Sequence, residues 1–405
     1  MYRYTTRQRP TTSRRPTETE TFVRDAPTRL AYAALACWTF WLYAFGPALT
    51  LLRAELGFSY TLLGVYELLL AAGAALSAVG FVWAARRLAR GALLWCSALA
   101  TVLGAGLFTL GRSTAVTLLG AVVFGLAGTT MLTVVQAVLS DRHGDRRDRA
   151  LTEANVGAGA SAVFAPLLLG ALAASAVGWR ATFVLPAAVL VVLYLRYRRQ
   201  PLPAAPRPAT ATGDRGLPLA CWLFAVLTAV SSAIEFCLVY FGPQLLIHAG
   251  MSVAAASTAL SSNYLGILVG RLLGARLTRR PGRAVALLYA SLAVTGPSFV
   301  LFWLTDQPAL AVLGLFLCGV GIANLYPLAL ALTLGAARGQ EDRANARSQL
   351  ILGVVAGVSP FLLGSLADRY GLVSAFALEP VLIGGCLVLL WGGLRVQRGG
   401  DFGTK

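Results

Sequence analysis

APLLLGALA at 165–173 returns as SPFLLGSLA at 359–367, a spacing of 194 residues that pairs Pro166 with Pro360 and Gly170 with Gly364. The match extends outward at the same spacing. Gly120 and Gly125 answer to Gly314 and Gly319, and Arg149-Ala150 to Arg343-Ala344. Further upstream, FGP at 45–47 recurs at 241–243, and Gly57 and Ser59 answer to Gly250 and Ser252, with shifts of one or two residues. A chain of 405 residues with such a period is a duplicated unit.

The repeated unit is strongly apolar. Hydrophobic residues make up 57% of the chain and charged residues 13%, against roughly 45–50% and 25% in soluble proteins. Mean hydropathy is +0.70. A soluble fold of this length could not hide that much apolar surface behind so few charges. The composition excludes a soluble enzyme, a disordered chain and a disulfide scaffold. The six cysteines all fall in apolar runs without ligand-like spacing, so neither disulfides nor a metal site is indicated.

A bilayer core of about 30 Å needs about 20 apolar residues per helix. Twelve runs meet this, with cores at 30–52, 61–84, 91–110, 114–139, 150–174, 181–196, 218–247, 253–276, 284–304, 309–335, 345–367 and 372–394. They are too long and too uniformly apolar for barrel strands. The expected fold is an all-α membrane protein with 12 transmembrane helices in two six-helix bundles, at 30–196 and 218–394. A Pro- and Ala-rich linker at 197–217 joins them. The Arg-, Thr- and Pro-rich segment 1–29 reads as a disordered tail, and 395–405 as a second tail.

The formal charge of +17 comes from 34 basic residues, of which Lys405 is the one lysine. Their placement sets topology rather than nucleic-acid binding. With the N-terminus inside, 29 fall in cytoplasmic segments, and four (Arg53, Arg112, Arg180 and Arg369) fall in external loops. Both termini are therefore expected in the cytoplasm, and the protein in the cell membrane as a multi-pass monomer among anionic lipids. Because six is even, the repeats run parallel about an axis normal to the membrane, which encloses a central cavity.

Twelve spans, a central linker and this repeat resemble the major facilitator superfamily over about residues 28–396. GRLLGARLTRRPGR at 270–283 looks like that family's cytoplasmic loop motif, with GFVWAARRLAR at 80–90 as its first-half counterpart. RALTEANVGAGASAVFAPLLLG at 149–170 and Gly178-Trp179-Arg180 are further family-like pieces. Arg86, Arg280, Gly282 and Arg283 are the gating-loop candidates the resemblance implies. Ala85 and Arg279 stand where an acidic residue usually precedes the arginine.

Chemistry inside the spans is sparse. Every Asp lies in a loop or tail, and no HExxH, Ser–His pairing or P-loop is present. The chain is not an enzyme by this reading and needs no cofactor or metal, and a gradient must supply its energy. Ionisable groups within spans are functional candidates because their burial is costly. Glu235 in the seventh span heads the set, since desolvation favours the protonatable neutral carboxyl. The resemblance places that span along the cavity. Glu67 in the second span is the other proton-coupling candidate. Glu379 falls in the last span, which the resemblance makes peripheral. Arg271 in the eighth span could bind an anion through its fork of donors or reach back to the cytoplasmic surface. Candidate substrate contacts are Trp38, Thr39, Tyr43, Thr133, Gln136, Asn155, Asn263, Arg271, Asn324 and Tyr326, although such polar groups also join helices.

The expected function is secondary active transport of a small organic solute by alternating access, coupled to protons, with a lean to efflux of an amphiphilic or drug-like compound. A second reading is proton-coupled transport of a small organic anion through Arg271. A third, from another class, is a non-transporting receptor or partner-binding protein.

Overall fold

A computed structural model describes residues 22–202, 216–278, 282–337 and 339–401. Among these residues the chain is helical, with no strand. The helices are α1 (Ala26–Leu56), α2 (Tyr60–Arg87), α3 (Arg90–Leu110), α4 (Thr114–His143), α5 (Arg147–Ala173), α6 (Ala181–Tyr197) and α7 (Leu219–His248). They continue as α8 (Val253–Leu277), α9 (Ala284–Leu304), α10 (Pro308–Ile322), α11 (Leu325–Gly335), α12 (Glu341–Tyr370), α13 (Leu372–Ala375) and α14 (Leu378–Asp401). Eleven helical segments are long and apolar enough to cross a membrane, and Ala181–Tyr197 is a shorter apolar helix.

Local chemistry sets the boundaries. Asp25 caps α1, its side chain accepting from the Thr28 amide, and Pro27 occupies the first turn, where no intrahelical donor is needed. α1 therefore starts inside the segment expected as tail. Gly57 ends it in the left-handed region at φ 66°. Ser59, Ser113 and Ser252 cap α2, α4 and α8.

One expected span is broken. The run 309–335 divides into α10 and α11 at Ala323–Asn324. Pro327 in the first turn of α11 has no N–H to offer Ala323. The Asn324 amide turns aside to donate to the Gly270 carbonyl, 2.9 Å away. The last run likewise starts with the short α13 before α14.

The duplication is visible in packing. A Cβ on Gly120 would overlap the backbone of Phe108, and one on Gly314 that of Phe302, so α3 meets α4 as α9 meets α10. Gly125 lies on the Leu70 carbonyl (α4 on α2), and Gly319 on the Asn263 carbonyl (α10 on α8). Missing side chains let these backbones approach closely. The repeated segments at 165–173 and 359–367 make two further contacts. Gly170 of α5 abuts Ala254 and Thr258 of α8, and Gly364 of α12 abuts Tyr60 of α2. Tyr60 and Ala254 are themselves 194 residues apart.

These last contacts lie at the end of the molecule where the loops carry few arginines. There Asp368 of α12 accepts from the backbone amides of Tyr60 (2.9 Å) and Thr61 (2.6 Å) at the start of α2. Arg180 forms a bidentate pair with Glu55, whose carboxylate also accepts from the Trp179 indole at 2.7 Å. The Gly178-Trp179-Arg180 motif thus clasps the end of α1. At the arginine-rich end, Arg24 pairs with Glu153, Arg142 with Asp25 and Arg90 with Asp141, which ties α1, α3, α4 and α5 together. Burial pushes the Asp25 carboxyl up, but hydrogen bonds from Thr28 and the Arg142 guanidinium outweigh it. The net value lies below the usual carboxylate range.

Candidate functional site

α7 is largely enclosed, and the membrane ionisable groups gather around it. Glu235, half-buried, lies within electrostatic reach of Arg271 on α8 and of Tyr43 on α1. The rings of Tyr43 and Tyr264 meet edge to face with centroids 4.8 Å apart. Tyr264 and Arg271 are seven residues apart on α8, hence on one face and about 10 Å apart along the axis. The Tyr264 hydroxyl is buried and has no partner among the described residues. Arg271 is exposed, and no ion pair is found for it among the described residues.

Glu67 extends this string. It is 2% exposed and its carboxyl lies beside the Tyr240 hydroxyl of α7, and one of its oxygens is without a partner among the described residues. Tyr264 feels both Glu67 and Glu235. A line of titratable side chains thus runs from Glu67, near the arginine-poor end, through Tyr240, Tyr264, Tyr43 and Glu235 to Arg271, near the arginine-rich end. Its members come from α1 and α2 on one side and α7 and α8 on the other.

Glu379, expected at the periphery, is fully buried. Neither carboxyl oxygen finds a hydrogen-bond partner among the described residues, and the group rests against the Cys237 thiol of α7. Its charge in an apolar run was the available signal, and the position of the last span masked it.

The remaining candidates divide by what their polar atoms do. Trp38 packs on Phe124 at 5.0 Å between ring centres and fills the gap left by Gly128. Thr39 and Thr133 donate to carbonyls one turn back in their own helices. The Asn263 amide donates to the Leu315 carbonyl and so joins α8 to α10, as Asn324 joins α11 to α8. Gln136 and Asn155 are exposed well inside α4 and α5, Asn155 donating to Leu151. The Tyr326 hydroxyl accepts from Gln349 of α12. Of the loop candidates, Arg86 is exposed, Gly282 turns the chain at φ 83° and Arg283 is exposed beside it. Arg280 lies outside the described residues, as does most of the expected tail and linker.

The family model of the Major Facilitator Superfamily matches residues 31–339 and 224–401. The chain belongs to the Major Facilitator Superfamily. This makes it a multi-pass membrane transporter rather than an enzyme. An "MFS-type efflux pump" of Mycolicibacterium smegmatis is 32% identical over 221 residues, covering 50% of this chain and 52% of the relative. The match thus spans about half the length of that curated relative. Among solved structures, a bacterial homologue of the human lysosomal transporter Spinster, inward-facing and occupied, superimposes with TM-score 0.71 at 16% identity. That similarity covers 92% of this chain and 96% of the other. The nucleoside transporter NupG gives 0.69 at 15% identity over 92% and 98%. At these identities the structural likeness to both facilitators is one of fold.

Proposed function

We propose that the chain is a proton-coupled exporter of a small amphiphilic solute, working by alternating access across the cell membrane. In this reading residues 30–196 and 218–394 are two six-helix bundles joined by a cytoplasmic linker at 197–217, and both termini are cytoplasmic. The observation that carries it is the position of Glu235, facing Arg271 and Tyr43 at the seam between the halves. A carboxyl there exchanges a proton with whichever side is open, and the guanidinium favours release of that proton when solvent reaches the pair. The efflux direction follows the relative that matches over about half of its length.

The reading also assigns a conformation. The contacts of Gly170, Gly364 and Asp368 close the arginine-poor end. Gln136, Asn155 and Arg271 are exposed in the interiors of α4, α5 and α8 toward the other end. Polar side chains at such depth belong in water rather than lipid, so the cavity opens to the cytoplasm.

Proteoliposomes with an imposed pH gradient and a panel of fluorescent amphiphiles test the proposal. Glu235→Gln is expected to abolish gradient-driven flux while leaving downhill exchange. Intact gradient-driven flux in that variant overturns the assignment. A second reading, transport of a small organic anion, is favoured by the exposure of Arg271. Under it, Arg271→Gln removes transport of carboxylates and spares neutral analogues.

A further inference from the structure

A cavity of about 420 Å³ opens at the closed, arginine-poor end between α1, α2, α7 and α8. Thr50, Arg53, Ala54, Tyr60, Gln244 and Ile247 line it, with His248 and Val253 at its edge. Its size falls in the range of small-molecule sites, about 300–1,000 Å³.

The polar groups in its wall are unused. The Thr50 hydroxyl, the Arg53 Nε–H and the Gln244 side-chain amide nitrogen are all buried and have no hydrogen-bond partner among the described residues. Thr50 and Gln244 are 1% and 4% exposed. The guanidinium carbon of Arg53 lies 3.8 Å from the centre of the Tyr60 ring, a cation–π contact. One terminal nitrogen makes a long 3.4 Å contact to the Gln244 carbonyl oxygen. Leaving buried donors unpaired costs about 1–3 kcal/mol each, so an acceptor that reached these three from the cavity would relieve that cost. No acidic side chain lines the cavity. Ala54, Ile247 and Val253 supply an apolar wall beside the donors.

We propose that this cavity is an outer binding site for an amphiphilic carboxylate. Its anionic head lies on Arg53 Nε–H, the Gln244 amide and the Thr50 hydroxyl, and its apolar body lies on Ile247 and Val253. The guanidinium against the Tyr60 ring is pre-organised for that planar head. Because Arg53 lies in the last turn of α1 and Gln244 in α7, a carboxylate held by both bridges the two helices at the closed end. The site is separate from the central string and does not depend on it.

The probe is 4-fluorobenzoate, followed by ¹⁹F saturation transfer to the full chain in lipid nanodiscs at constant ionic strength. Binding is expected in the native protein and in Arg271→Gln. It is expected to weaken about tenfold or more in both Arg53→Gln and Gln244→Leu, the loss of one charge-assisted bond. Thermal unfolding of each variant shows that it is folded. 4-Fluorobenzyl alcohol, the same body without the anion, is expected not to displace the probe, and nor is chloride exchanged for gluconate. Unchanged binding in both Arg53→Gln and Gln244→Leu overturns the proposal. So does loss in Arg271→Gln alone, which places the anion at the centre of the protein, or displacement by chloride, which makes the site one for inorganic anions.

Discussion

Asp368 gives the sharpest handle on the conformational equilibrium. Its two carboxylate oxygens accept from the Tyr60 and Thr61 amides at 2.9 and 2.6 Å, so a residue of α12 caps the start of α2. Ser59 caps the same helix locally, accepting from the Leu62 amide at 3.1 Å. Opening the arginine-poor end separates α2 from α12 and breaks the Asp368 bonds while keeping the Ser59 bond. Losing a cap costs about 0.5–2 kcal/mol, and losing an anion at a helix N-terminus about 0.3–1 kcal/mol. The contact is solvent-exposed, so the lower part of each range applies, about 1–2 kcal/mol together. That corresponds to a shift of about 5- to 30-fold in the closed-to-open ratio.

Arg112 and Asp306 are exposed loop residues 194 positions apart at this end, and cysteines placed there carry spin labels. Cys96 is the exposed native cysteine and is replaced by serine, the other five being buried. Pulsed electron-electron double resonance should show Asp368→Ala moving population from the short to the long distance, with Ser252→Ala, which removes only the local cap of α8, leaving the distribution unchanged. Equal effects of the two substitutions, or none from Asp368→Ala, would refute the reasoning.

Three further outcomes are expected. Gly364→Val drives a branched side chain into the Tyr60 backbone, so it should populate the open distance in the same experiment and cost about 1–3 kcal/mol in thermal unfolding. Glu379→Met removes a buried carboxyl whose oxygens lack partners and should raise the melting temperature in detergent by about 2–4 °C with gradient-driven flux preserved; loss of flux would show that Glu379 carries protons. Because the folded-state value of Asp25 is depressed, its contribution is complete above the ordinary carboxylate range and disappears as pH falls through the lowered value. Protection of the amides at the start of α1, taken relative to their intrinsic exchange rate at each pH, should therefore hold at neutral pH and fall as pH drops through the lowered value, and Asp25→Ala should remove that dependence.

The spans were legible because bilayer thickness imposes length and apolarity together, and the glycine pairs at 120/314 and 125/319 were legible because close packing forbids a Cβ at both copies. The break at Asn324 was hidden, since composition stays apolar through a site where Pro327 and one side-chain hydrogen bond interrupt the helix. Site residues were harder to read. Asn263 and Asn324 have the residue types of a substrate contact, but their amides are spent on neighbouring carbonyls. Arg271 and Glu235 lie on different helices, 36 residues apart in sequence. Their proximity, which makes them one electrostatic unit, is a tertiary fact. The outer cavity depends on Arg53, which topology had already accounted for as a loop charge.

The paired glycine contacts carry an implication about descent. Position 170 meets 254, and position 364 meets 60, so with the period removed the same two positions touch in both directions. That reciprocity is the mark of an isologous two-fold interface. An ancestral half-length chain could therefore have associated with its own twin through this surface before fusion. Separately expressed halves, 1–202 and 203–405, should still find each other in a membrane.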